Sequence, residues 1–256
     1  MKQMVSSALI AGFVAGLLGA LLQYLLVQPD IVMAERYESG ELVHFAGVVA
    51  AEAGHDHSTH DHGTAETTTE HDHGTAETTE AHDHGEATEV SAFQRQGLTV
   101  LFAILTYCGY GLVLMGLINL AHQIGIKIGL AQGVLWGLAG FMSFQLMPAL
   151  GLPPELPGMP AADFEARQLW WAVTAIFTGI GLWFLCYGTA IWQRVVGAGL
   201  LAAPHVWGAP KVAAFGGIVP PELSAAFAAH SLGAGMITWM VLGGLLITLW
   251  RTDPAK

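Results

Sequence analysis

The chain has 256 residues, of which 53% are hydrophobic and only 11% charged, with a formal net charge of -11. Soluble domains carry about 25% charged residues, so a mean hydropathy of +0.51 excludes an ordinary soluble domain. The acidic balance excludes a nucleic-acid binder, which needs a basic face. Two cysteines, Cys108 and Cys186, exclude a disulfide scaffold and a four-cysteine zinc module.

Met4 to Val27 is apolar and uncharged. About 20 such residues in a helix span a bilayer core of about 30 Å, so residues 1–27 read as a first transmembrane helix. The run is longer than the apolar region of a signal peptide, and Gln23, Tyr24 and Gln28 stand where a small-residue cleavage site would fall. The helix is therefore expected to stay uncleaved. Gly12 and Gly16, at small-xxx-small spacing, invite close approach of a neighbouring helix.

Residues 28–96 form an outside loop with an unusual centre. His60-Asp61-His62, His71-Asp72-His73 and His82-Asp83-His84 open successive copies at 11-residue spacing. With His55-Asp56-His57 they make four His-Asp-His triplets that hold eight of the chain's 12 histidines. Residues 54–89 lack aromatic side chains and nearly all large aliphatic ones. They cannot bury enough apolar surface to offset chain entropy, so disorder is expected there in the absence of a ligand. Neutral imidazole binds Co²⁺, Ni²⁺ and Zn²⁺, and Asp adds an oxygen donor. His55, His57, His60, His62, His71, His73, His82 and His84, with Asp56, Asp61, Asp72 and Asp83, are the candidate metal ligands. Weak, poorly selective sites suit a collector of metal better than a catalytic centre.

Four further spans are expected near 97–121, 128–150, 169–188 and 231–250. A short, weaker candidate at 195–209 ends in Pro204, His205 and Pro210. The predicted fold is an all-α, polytopic transmembrane helix bundle of about six spans, with five as the alternative, and a disordered His-rich outside loop. Six spans put Lys2, Lys127, Arg194, Arg251 and Lys256 on the inside with a single acidic residue, Asp253, as the positive-inside rule asks. The stiff, proline-rich passage 151–158 lies outside and can cap a pore mouth or simply connect two spans.

A transport path needs polar groups at the membrane edge or within it, where they are costly and therefore informative. The candidates are Glu35 and Glu38, which share a helix face at i, i+3 spacing, with Glu41, His44, His122, His205 and His230. Cys108, Cys186, Met115, Met142 and Met147 are soft donors better explained as packing. His205 stands out because Pro204 beside it suggests irregular backbone. The chain has no GxxxxGK[ST], HExxH or GxSxG motif, so neither nucleotide hydrolysis nor another enzymatic activity is expected of it. No bound cofactor is expected beyond the transported or collected metal.

Several passages carry a family resemblance: Gln28-Pro29-Asp30-Ile31 running into Ala34-Glu35-Arg36-Tyr37-Glu38; Met147-Pro148-Ala149 through Gly151-Leu152-Pro153-Pro154-Glu155-Leu156-Pro157-Gly158; Arg167-Gln168-Leu169-Trp170-Trp171; and Ala203-Pro204-His205-Val206-Trp207-Gly208-Ala209-Pro210. Val219-Pro220 and Phe227-Ala228-Ala229 continue it. The sequence resembles the CbtA family of predicted bacterial cobalt transporter subunits. That resemblance implies a multi-pass protein of the bacterial inner membrane that imports Co²⁺ for cobalamin synthesis, partnered by a small single-span CbtB-like subunit. It supplies no ligand set. Glu35, Glu38, Glu155 and His205 are the family-like polar groups placed here on a possible path. Transport of Ni²⁺ or Zn²⁺ is one alternative, and a membrane-anchored metal buffer or sensor without transport is the other.

Overall fold

A computed structural model of the chain describes residues 2–44, 92–212 and 216–251. The His-Asp-His triplets lie outside the described residues. Among the described residues there is no strand, and the chain forms six helices: α1 (Lys2–Glu38), α2 (Ala92–Gln123), α3 (Leu130–Ala149), α4 (Phe164–Tyr187), α5 (Ile191–Trp207) and α6 (Pro221–Arg251). Five of them are long and apolar enough to cross a bilayer; α5, with 17 residues, is the exception. At about 1.5 Å per residue α5 rises about 25 Å, a little short of the hydrocarbon core, yet it joins the same two ends of the bundle as the others.

Two boundaries differ from those expected. The first helix does not stop at Val27 but runs to Glu38 through one π-helical turn, Gln23–Val27. Pro29 follows that turn, where the backbone has already shifted to Gln28 N–H bonding the Gln23 carbonyl. The missing proline N–H is thus tolerated, and the polar residues beyond it stay helical because a partner takes up Asp30. The short segment predicted at 195–209 is a regular helix from Ile191 to Trp207. The backbone at His205 is helical, not irregular, with Pro204 inside the helix. Gly208, at a φ of 92°, ends α5 in a conformation that glycine adopts without penalty.

Glycine seams join the helices in pairs. A methyl group at Gly12 would lie 2.5 Å from the Cys108 Cα, and one at Gly16 would lie 2.5 Å from the Ile104 Cα, so α1 and α2 touch backbone to backbone as the Gly12–Gly16 spacing predicts. In the same way Gly133 and Gly137 of α3 meet Gly243 and Trp239 of α6, and Gly181 of α4 meets Gly197 of α5. Leu9, Ile10, Phe13, Leu105 and Ile176 instead face outward, as expected where lipid is the solvent.

The aromatic centre of the bundle holds Tyr107, Tyr110, Phe144 and Trp239. Trp239 packs 4.6 Å from Tyr110 and 5.7 Å from Phe144, ring centre to ring centre. Two indoles then tie α4 to its neighbours. Pro148 has no N–H to give to the Phe144 carbonyl one turn back, and Trp171 Nε1 donates to that carbonyl at 3.2 Å. Trp170 Nε1 donates to the Pro204 carbonyl at 3.1 Å.

The connections define two ends. The turns after α2 and α4 lie at one, here the turn end. Residues 39–44, the start of α2, the 150–163 passage and the connection from α5 to α6 lie at the other, the loop end. A second apolar cluster closes the loop end: Val27 and Ala34 of α1, Leu156 from the proline-rich passage, Val219, and Phe227 of α6. The passage thus caps the outer part of α1 as well as joining α3 to α4.

Candidate functional site

The loop end brings a carboxylate and a histidine together. Asp30, on the part of α1 past the π-turn, is only 9% exposed. His230, near the start of α6, holds its Nδ1 2.7 Å from Asp30 Oδ2. The carboxylate side chain is 12% exposed and the imidazole 46%. The pair therefore has a sheltered acid and a ring reachable from outside. Oxygen and imidazole nitrogen are both donors for divalent transition metals. In the tautomer that carries its proton on Nδ1, the ring donates to the carboxylate.

Below this pair runs a cleft of about 760 Å³ between α1, α2 and α6, with one side chain from α3 reaching in. Ile31 and Ser231, each the next residue along from a member of the pair, line its upper part. Its polar walls are Gln23, Thr99, Thr106, Tyr107, Gln145, Ser231 and Thr238, and no charged side chain lines it. Ser231, Gly235 and Thr238 fall on one face of α6 at i, i+4, i+7 spacing, and Thr99 and Thr106 do so on α2. Gln23 opens the π-turn of α1, and Gln145 lies within the second π-turn, Met142–Leu146 of α3. Each π-turn ends two residues before a proline, Pro29 or Pro148. Such turns recur at functional sites because they re-aim side chains within a continuous helix.

The predicted path residues share the loop end without forming one site. Glu35 and Glu38 are exposed on α1, and Glu38 leans over Gly158 of the proline-rich passage. Glu155 is engaged by Arg167, with Nη2 3.0 Å from its Oε2. His205 sits against the Trp170 ring edge-on at 5.8 Å, and its buried Nε2 has no hydrogen-bond partner. It thus belongs to the α4–α5 pair and does not line the cleft. Among the other candidates, Glu41 forms a two-pronged ion pair with Arg36 at 2.9 and 3.1 Å, which holds its carboxyl below the usual range. His122 packs edge-on to Trp250 at the turn end. Cys108 donates weakly to the Leu9 carbonyl, and Met115 is core. Among the described residues no group of three His, Cys, Asp or Glu gathers to hold a metal ion.

The family model described as "Probable cobalt transporter subunit (CbtA)" matches residues 1–251. The chain belongs to the CbtA family. No curated protein and no solved structure matches it. Membership places it in a family described as a probable cobalt transporter subunit, which implies a partner subunit and points away from enzymatic activity. Its apolar helices make it a multi-pass membrane protein.

Three groups in the CbtA site escaped sequence reasoning as site residues. Asp30 reads as the start of a loop because it follows Gln28-Pro29. Gln23 and Gln145 read only as polar interruptions in apolar runs. The available signal was the interruption itself, since an amide at membrane depth needs a reason.

Proposed function

We propose that this CbtA member is the bundle through which a divalent transition metal, Co²⁺ first, moves from the loop end to the turn end. The observation that carries the reading is the Asp30–His230 pair next to a mainly apolar cleft between α1, α2 and α6 that carries polar side chains along its length. A sheltered carboxylate attracts the ion, and an exposed imidazole exchanges water for it. Lys2, Lys127 and Arg194 mark the turn end, which fits a cytoplasmic side. The loop end then faces outward in the inner membrane, and the His-Asp-His segment collects metal there. A divalent ion moving inward gains about 4.6 kcal/mol per 100 mV of negative-inside potential, twice the single-charge value. The imported metal serves cobalamin synthesis, and a single-span CbtB-like subunit completes the transporter.

The test is uptake of radioactive cobalt by cells expressing this chain, with and without such a partner, against excess nickel and zinc. Inward flux suppressed mainly by unlabelled cobalt is the expected result. Suppression mainly by nickel or zinc reassigns the substrate. Absence of flux in both arrangements, with metal still held by the His-Asp-His segment, replaces transport with buffering or sensing.

A further inference from the structure

The outer arm of α1, Gln28–Glu38, is attached to the bundle differently from the rest of that helix. Below the π-turn, α1 packs along both α2 and α6. Past the turn, among the described residues, the arm packs against α6 and no other helix. Its buried Ala34 belongs to the small cluster at the loop end, with Leu156, Val219 and Phe227, and not to the aromatic core. The break between the two clusters falls at the π-turn. The Asp30–His230 contact ties the arm to α6.

Among the described residues two π-turns precede a proline, and they are braced unequally. In α3 the Phe144 carbonyl, which Pro148 cannot serve, receives Trp171 Nε1–H at 3.2 Å, and the Phe144 ring is stacked 5.7 Å from Trp239. In α1 the Leu25 carbonyl stands in the same relation to Pro29, and no side chain among the described residues donates to it. Tyr24 and Leu25 are 57% and 56% exposed, so the outer side of that turn is uncovered. On its inner side Gln23 and Val27 border the cleft, which leaves room to bend. A proline that removes a helix hydrogen bond is a usual cause of bending. The turn of α3 is therefore held, and that of α1 is free to pivot.

We propose that Gln28–Glu38 is an outer gate: it pivots on the π-turn Gln23–Val27, and the Asp30–His230 contact holds it shut against α6. The proposal rests on the transport reading for what the gate admits. Val27 and Ile31 line the cleft, so outward movement of the arm widens the space beside the pair. At about 1.5 Å per residue the arm is about 16 Å long. A pivot of about 20°, the size of a proline kink, carries its tip about 6 Å but moves Asp30, close to the hinge, only about 1–2 Å. A small change at the latch thus becomes a large one at the tip.

The experiment reads the position of the arm without flux. In full-length chain with Cys108→Ser and Cys186→Ser, spin labels on Met33→Cys of the arm and Glu222→Cys at the start of α6 report their separation by pulsed electron spin resonance. Both positions are exposed. One narrow separation is expected for the latched chain. His230→Ala is expected to add a second population, wider by about 3 Å, the displacement of Met33 in a pivot of about 20°. Adding Pro29→Ala, which returns the missing N–H to the helix, is expected to shrink that population. A second label pair below the turn, Leu9→Cys with Ile237→Cys, is expected to stay unchanged in every variant. A wider population that appears with His230→Ala and shrinks with Pro29→Ala supports the gate even in a chain that carries no flux. One unchanged separation with His230→Ala, a wider population that Pro29→Ala leaves as it was, or matching shifts at the lower pair overturns the gate and leaves a positive uptake result intact.

Discussion

The 2.7 Å contact between Asp30 and His230 accommodates one proton or one cation between its facing atoms, and a metal ligand must give up the proton. If the pair captures the transported ion, Asp30→Asn keeps the shape but removes the charge. Half-maximal cobalt uptake then needs about tenfold more metal or greater. His230→Ala should act alike, and the double variant should be little worse than the worse single one, because the remaining ligand has lost its partner. Initial uptake rates across a cobalt series check this. A pair that merely staples α1 to α6 predicts a lower thermal midpoint with unchanged half-saturation, so both are measured on the same variants. Only half of this pair was visible as chemistry in the sequence. His230 is a histidine entering an apolar helix and draws attention alone. Asp30 lies 200 positions away, and no local pattern links the two. Tertiary packing makes the contact, and burial of the carboxylate follows from it.

Among the helices, the seams decide what can be altered. Gly137 is the test case, because two opposing effects meet there. Alanine is the better helix former by about 1 kcal/mol. Yet the added methyl at Gly137 would overlap the Trp239 carbonyl oxygen, which is backbone and cannot rotate away. Overpacking of this kind costs about 1–3 kcal/mol, so Gly137→Ala should lower the thermal midpoint of the purified protein. Gly116, with nothing within 4 Å of its would-be methyl, is the control, where alanine should be neutral or stabilising. The spans were legible because length and apolarity act locally. The Gly12–Gly16 contact was legible because spacing along one helix face is local too. The reach of α1 to Glu38 was not, because Gln28-Pro29-Asp30 has the composition of a loop. It is helical only because a π-turn absorbs the proline and His230 takes the carboxylate. The helix around Pro204 is regular too, and the Pro204 carbonyl receives both Gly208 N–H and Trp170 Nε1–H, of which Trp170 comes from another helix.

At the scale of the whole molecule, the six helices among the described residues return the chain to the turn end and gather the longer connections at the loop end. The His-Asp-His segment enters and leaves there, from residues 39–44 to the start of α2. If it is a collector, it changes how much metal reaches Asp30–His230 and not how fast the bundle passes it. Deleting residues 54–89 should therefore raise the cobalt concentration for half-maximal uptake and leave the maximal rate unchanged. The difference between full-length and shortened chains should also shrink as the external pH falls below about 6.5, because imidazoles that have gained a proton no longer bind metal. Paired uptake curves at two pH values read both effects. A drop in the maximal rate on deletion would instead place the segment in conduction. Identical curves at every pH would make it a spacer whose triplets hold metal without serving transport. Collection and conduction are separable in this way because each rests on different chemistry. Collection, as proposed, would use many equivalent imidazoles on one stretch of chain. Conduction, on the reading proposed above, uses one carboxylate and one histidine fixed by helix packing.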